Sequence, residues 1–200
     1  MTNFQVLKLW TTSRAGGILI AALSCVLVSC QVDTSADIQA GSERNFSQVT
    51  DTDLLRRSEE FYTSQNCDQA LPLFDEYLRR NPNANEVIFK RAVCLHQAGN
   101  VSEAVDAWNR VVTINPNHSK AWFDLGAAYY DMHDFSSSIA SYEKADSLVP
   151  DDAETIYGIA ASEYALGRYD DARAHVQKVL KKDPNNENAT LLMKMLNTKK

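Results

Sequence analysis

The sequence predicts an all-α fold: four successive helical hairpins closed by one further helix at the C-terminus. Three observations predict it. Four of the five prolines, Pro82, Pro116, Pro150 and Pro184, stand 34 residues apart. Two columns of small residues keep the same step: Ser58, Ala92, Gly126 and Ala160, then Ala70, Ala104, Ser138 and Ala172. The 200-residue chain holds only 7 Gly and 5 Pro, which leaves long stretches free to be helical. A fixed period in this range marks stacked supersecondary units, each unable to bury its apolar face alone.

The N-terminal segment stands apart from that pattern. Residues 1–15 carry Lys8 and Arg14 and no acid, and residues 16–29, GGILIAALSCVLVS, are apolar and uncharged. The run is too short for a spanning helix and has the layout of a signal-peptide h-region. It ends in Leu27-Val28-Ser29-Cys30, which resembles a bacterial lipobox. The resemblance implies removal of residues 1–29 and acylation of Cys30, palmitate included. Several acyl chains give stable anchoring where one is marginal. Cys25, after Ala22-Leu23-Ser24, is a weaker match. Gln31 follows the cysteine where an Asp would favour the inner membrane. The implied location is therefore the outer membrane, lipid-anchored on its periplasmic face. Residues 30–50 read as the lipidated cysteine and a polar, flexible tether.

Charge narrows the partners. The chain carries a formal −6; without residues 1–29 it keeps 18 basic and 26 acidic residues, a net −8. Nucleic-acid binding needs a basic footprint, so no nucleic-acid partner is expected.

From residue 51 the repeats run 51–84, 85–118, 119–152 and 153–186. Their first helices are expected at 51–64, 86–98, 119–132 and 153–166, and their second helices at 67–80, 101–114, 135–148 and 169–182. Bulky columns follow in step: Phe61, Leu95, Tyr129 and, as a departure, Glu163; Phe74, Trp108, Tyr142 and Val176; Tyr77, Val111, Ala145 and Val179. The small columns let the two helices approach, and the bulky ones fill the space between hairpins. The prolines stop each second helix. Pro72 is placed near the first turn of its helix, where proline is tolerated. Residues 187–200 read as a capping helix and tail, with Thr190, Met193 and Leu196 facing the last repeat.

The third repeat reads Trp122-Phe123-Asp124-Leu125-Gly126-Ala127-Ala128-Tyr129. This resembles the W-x-x-L-G-x-x-Y signature of tetratricopeptide repeats (TPRs). The resemblance covers residues 51–186 and implies a right-handed superhelical solenoid, a non-catalytic protein-interaction scaffold without cofactors. With the lipobox, the chain resembles TPR lipoproteins of Gram-negative bacteria, including the pilotin-like type of type IV pilus assembly. Ser138 and Arg57 depart from the family's usual Ala and aliphatic residue.

Sites of chemistry are sparse. His96, His118, His133 and His175 fall in different phases of the repeat, and no metal-binding, phosphate-loop or nucleophile-elbow motif occurs. No metal and no small-molecule substrate is expected. Cys67 opens a second helix and Cys94 lies late in the next first helix. These antiparallel neighbours bring the thiols close, either as a disulfide in an oxidising compartment or as two buried thiols.

In the TPR family the first helices line the concave surface. Two columns on them, Leu55, Phe89, Phe123, Tyr157 and Tyr62, His96, Tyr130, Tyr164, make an apolar and aromatic stripe. A third, Glu59, Val93, Ala127 and Ala161, is small in repeats two to four; a fourth holds Thr52, Glu86, Lys120 and Glu154. Apolar surface of this extent marks binding, and aromatics are favoured anchors. The expected partner is a protein or peptide segment in this groove. Clamps for a terminal carboxylate need Lys and Asn here, so that subtype is disfavoured. The expected roles are assembly of an envelope complex, a pilus secretin among them, or recruitment of a periplasmic peptidase or cell-wall hydrolase. An enzyme would need convergent polar residues that these columns lack.

Overall fold

The computed structural model describes residues 46–199. The expected signal segment 1–29, Cys30 and most of the expected tether lie outside the described residues. Nine helices and no strand occur among the described residues. The first hairpin is α1 (Asp51–Thr63) and α2 (Cys67–Arg80); the second is α3 (Asn85–Gln97) and α4 (Val101–Ile114). The third is α5 (Ser119–Asp131) and α6 (Phe135–Leu148), the fourth α7 (Ala153–Ala165) and α8 (Tyr169–Lys182), and α9 (Glu187–Asn197) closes the stack.

Local chemistry sets these bounds. Thr50, Asp134, Asp152 and Asn186 cap helix N-termini by accepting from Asp53, Ser137, Thr155 and Ala189 amides. Asn81, Asn115, Val149 and Asp183, each just before a proline, leave the helical region with φ of −125, −132, −131 and −129°. Clash with the proline ring pushes them there, so the second helices end where expected.

The first helices end slightly earlier than expected, because a left-handed residue stops each one. Gln65, Gly99, His133 and Gly167 have φ of 58, 83, 63 and 77°. They form a further 34-residue column. Behind each, the next amide bonds back to the last turn: Asn66 to Phe61, Asn100 to Leu95, Asp134 to Tyr129 and Arg168 to Glu163. This is the Schellman arrangement, and it uses carbonyls that the helix end leaves free.

Packing follows the columns. Ser58, Ala92, Ala160 and Ala70, Ala104, Ser138, Ala172 are wholly buried, and Gly126 is buried too. Phe74, Trp108, Tyr142 and Val176 form the buried spine between hairpins. Ser138 is explained by its hydroxyl, which donates to the Gly126 carbonyl at 2.7 Å across the α5–α6 contact. Glu163 is also buried, its carboxylate 2.8 Å from His175 Nδ1 and 3.6 Å from Arg168.

Three expectations need correction. The capping helix buries Ala189, Leu192 and Leu196, while Thr190 and Met193 are only half-buried. The apolar stripe is thus set largely by i, i+3, i+7 spacing from Ala189. Pro72 lies in the second turn of α2, not the first, and removes one backbone bond from the helix. The end of the tether is ordered against the first hairpin: Arg80 donates to the carbonyls of Phe46 and Val49 and pairs with Asp51 and Glu76. These bonds tie residues 46–51 to the end of α2.

Candidate partner-binding groove

Each hairpin packs on the next, and the first helices also touch one another: α3 on α5, α5 on α7, α7 on α9. Second helices make no comparable contact with one another among the described residues. The layer of first helices is therefore the tighter, inner layer, and side chains pointing away from the second helices face its concavity.

The residues expected to line that face divide into two groups. Phe89 is a packing residue, 7% exposed, with its ring 4.7 Å from that of His118 and its body in the core with Ile88, Trp108 and Val112. It is corrected from anchor to wall. The other residues stay accessible. Tyr130 is 38% exposed and meets Phe135 edge to face. Tyr62, Phe123, Tyr157 and Tyr164 are half-buried, their rings set against Phe74, Tyr142 or the α7–α9 core. Leu55 is half-buried at the first hairpin. Burial raises the phenol pKa of Tyr62, Tyr130 and Tyr157, so they stay neutral donors. His96 binds Asp131 across the floor at 2.9 Å, joining α3 to α5.

The floor is shaped by Tyr142, which rises from α6 between two glycines. A Cβ on Gly126 would lie 2.7 Å from its ring, and one on Gly158 2.6 Å from Cζ. Beside it, the start of α5 and the start of α7 border a pocket of about 410 Å³, with Phe89, Phe123, Lys120, Asp124, Glu154 and Thr155 in its walls. Asp124 was not marked by the sequence, where it stands as a variable position inside the repeat signature. In the structure it makes no hydrogen bond among the described residues, and desolvation raises its pKa from 3.8 to about 7; Lys120 opposes the shift and Glu154 adds to it. The signal for it was the column Arg56, Lys90, Asp124, Gly158, in which charge is followed by glycine.

Cys67 and Cys94 are joined by a disulfide, with Cα atoms 5.0 Å apart, inside the range for unforced bridges. It ties α2 to α3. No group of three or more metal-ligating side chains, and no helix long and apolar enough to cross a membrane, occurs among the described residues.

Stacked hairpins with an inner layer of first helices define a helical-repeat solenoid. Family models described as tetratricopeptide repeat match residues 55–119 and 129–196. The chain belongs to the tetratricopeptide-repeat family, a family of protein-interaction modules. No curated protein matches the sequence significantly. Among solved structures it is similar to MamA 41-end from Desulfovibrio magneticus RS-1, with 19% identity, TM-score 0.71, and 74% of this chain and 84% of that one covered. A MamA RS-1 double mutant aligns with the same score over 74% and 83%. The first TPR of Spaghetti (RPAP3), bound to the HSP90 peptide SRMEEVD, aligns with 19% identity, TM-score 0.55, over 57% and 90%. At these identities the likeness is one of fold.

Proposed function

We propose that this chain is a non-catalytic scaffold, lipid-anchored at Cys30 in the cell envelope, that holds a segment of a partner protein along its concave face. The observation that carries the reading is the accessible aromatic run Tyr62, Phe123, Tyr130, Tyr157 and Tyr164 on the inner helices. Large rings lose little entropy on contact and fill the spaces between a ligand's side chains. The half-buried Val93, Ala127 and Ala161 leave room beside them for a backbone. A TPR domain of similar fold is bound to a peptide, which supports this mode.

The role we favour is assembly of an envelope complex at the periplasmic face of the outer membrane, pilus secretin assembly being the leading case. An adaptor that recruits a peptidase or cell-wall hydrolase uses the same groove, and the partner's identity separates the two.

In-cell crosslinking followed by mass spectrometry tests the groove. Phe123→Ala with Tyr157→Ala, in a protein of unchanged helicity, is expected to lose the wild-type partner. Retention of that partner sinks the groove. Fatty-acid analogue labelling tests the anchor: uptake by the wild type and none by Cys30→Ala is expected, and an unlabelled wild type removes it.

A further inference from the structure

The inner face carries charge as well as aromatic rings, and the charge is uneven. Acidic groups Glu59, Glu86, Asp124, Asp131 and Glu154 face basic groups Lys90 and Lys120. Part of this is already spent internally. Glu59 holds Lys90 at 2.6 Å, Glu86 lies 3.9 Å from Lys90 and 3.7 Å from His118, and Asp131 holds His96 at 2.9 Å. What remains gathers at the pocket beside Phe123, where Lys120 is the one cation that Asp124 and Glu154 meet among the described residues.

We propose that this pocket receives a lysine or arginine side chain of the bound segment, so that the groove selects a basic partner. The inference rests on the groove reading above. Three features of the pocket support it. Asp124 is largely desolvated and makes no hydrogen bond among the described residues, so its oxygens have acceptor capacity that a cationic donor fills. Phe89 and Phe123 supply apolar surface for the aliphatic stem of such a side chain. The volume, about 410 Å³, admits one long side chain with room for water.

The starts of α5 and α7 open onto the pocket, and helix N-termini attract anions. Here both are answered from within the chain. Asp152 caps α7 through the Thr155 amide and hydroxyl, and Glu154 sits in its first turn. His118 caps α5 through its Nδ1. An acidic segment such as SRMEEVD would instead place carboxylates against Asp124 and Glu154, with Lys120 the single cation among the described residues that line the pocket.

The test uses the full chain and three fluorescein-labelled twelve-residue peptides of alternating Leu and Ala, identical except for a central Lys, norleucine or Glu. Norleucine keeps the four-carbon stem of lysine and removes its ammonium group. Anisotropy titrations on the wild type are expected to rank Lys over norleucine by about tenfold and norleucine over Glu, as for one charge-assisted contact. Asp124→Asn is expected to bring Lys and norleucine within about twofold of each other. Equal Lys and norleucine affinities, preference for Glu, or no binding by any peptide overturns the inference. The groove reading is separated by Phe123→Ala with Tyr157→Ala. If that variant weakens all peptides while Lys and norleucine bind alike, the groove stands and the charge preference falls. If it leaves Lys-peptide binding unchanged, the groove itself falls.

Discussion

The ring of Tyr142 occupies the space that a Cβ on Gly158 would need, with Cζ 2.6 Å from that position. The neighbour is a ring that is also packed against Gly126, where a Cβ would lie 2.7 Å from it, so it has little freedom to yield. Gly158→Ala is therefore expected to destabilise the fold by about 1–3 kcal/mol, although alanine is the better helix former. Paired with Tyr142→Ala, the same change should become nearly neutral. Urea unfolding of the four proteins checks the non-additivity.

The hairpin turns offer a second comparison. Gln65 and Gly99 occupy the same left-handed position, and both are exposed. Gln65→Gly is expected to stabilise by a few tenths of a kcal/mol to about 1 kcal/mol, and Gly99→Ala to destabilise by about 1 kcal/mol. Thermal melts of the two variants should move in opposite directions.

Glu163 stands where other repeats carry Phe61, Leu95 and Tyr129. Its carboxylate is buried and relies on His175 and Arg168. His175→Ala, which strips the closer partner from a buried acid, should cost about 1–3 kcal/mol. Glu163→Leu, which restores the apolar column, should be neutral or stabilising. A chemical denaturation series that finds Glu163→Leu the more damaging change refutes this account.

Asp124 makes stability depend on pH. Its folded pKa of about 7 lies above the ordinary 3.8. Between these values the folded state binds more protons than the unfolded one, so Asp124 lowers stability progressively as pH rises from about 4 to 7. The groups that act on it or share its surroundings are Lys120 on α5, Glu154 on α7, Tyr142 on α6 and Tyr62 on α1. Asp124→Asn should match the wild type near pH 4 and exceed it at pH 8. With solvent screening at a partly exposed group, the gain is on the order of 1–2 kcal/mol. Melting curves across this range check the sign.

The Cys67–Cys94 bridge closes a loop of sequence separation 27 onto the first hairpin. Peptide mapping of the oxidised protein should recover the two cysteines as one linked species. Reduction, or replacement of both by serine, should lower stability by about 2–4 kcal/mol if chain entropy dominates. The loss should appear first as faster amide exchange in α1 and α2. Uniform exchange across all hairpins counts against that assignment.

Much of this molecule was legible in its sequence, because a solenoid repeats one local solution. Prolines stop the second helices, small columns set the helix spacing and bulky columns fill the layers, so the 34-residue period carries the architecture directly. The left-handed turn column was harder to see, since Gln65 and His133 hide a position that Gly99 and Gly167 announce. Tertiary structure decided what depends on neighbours from other hairpins. His118 covers Phe89 and turns an expected anchor into a wall, Glu163 finds His175, and Tyr142 threads between Gly126 and Gly158. The pocket and the desolvated Asp124 arise from the juxtaposition of α5, α6 and α7. Burial and electrostatics are sums over such neighbours, whereas periodicity is a property of the chain alone.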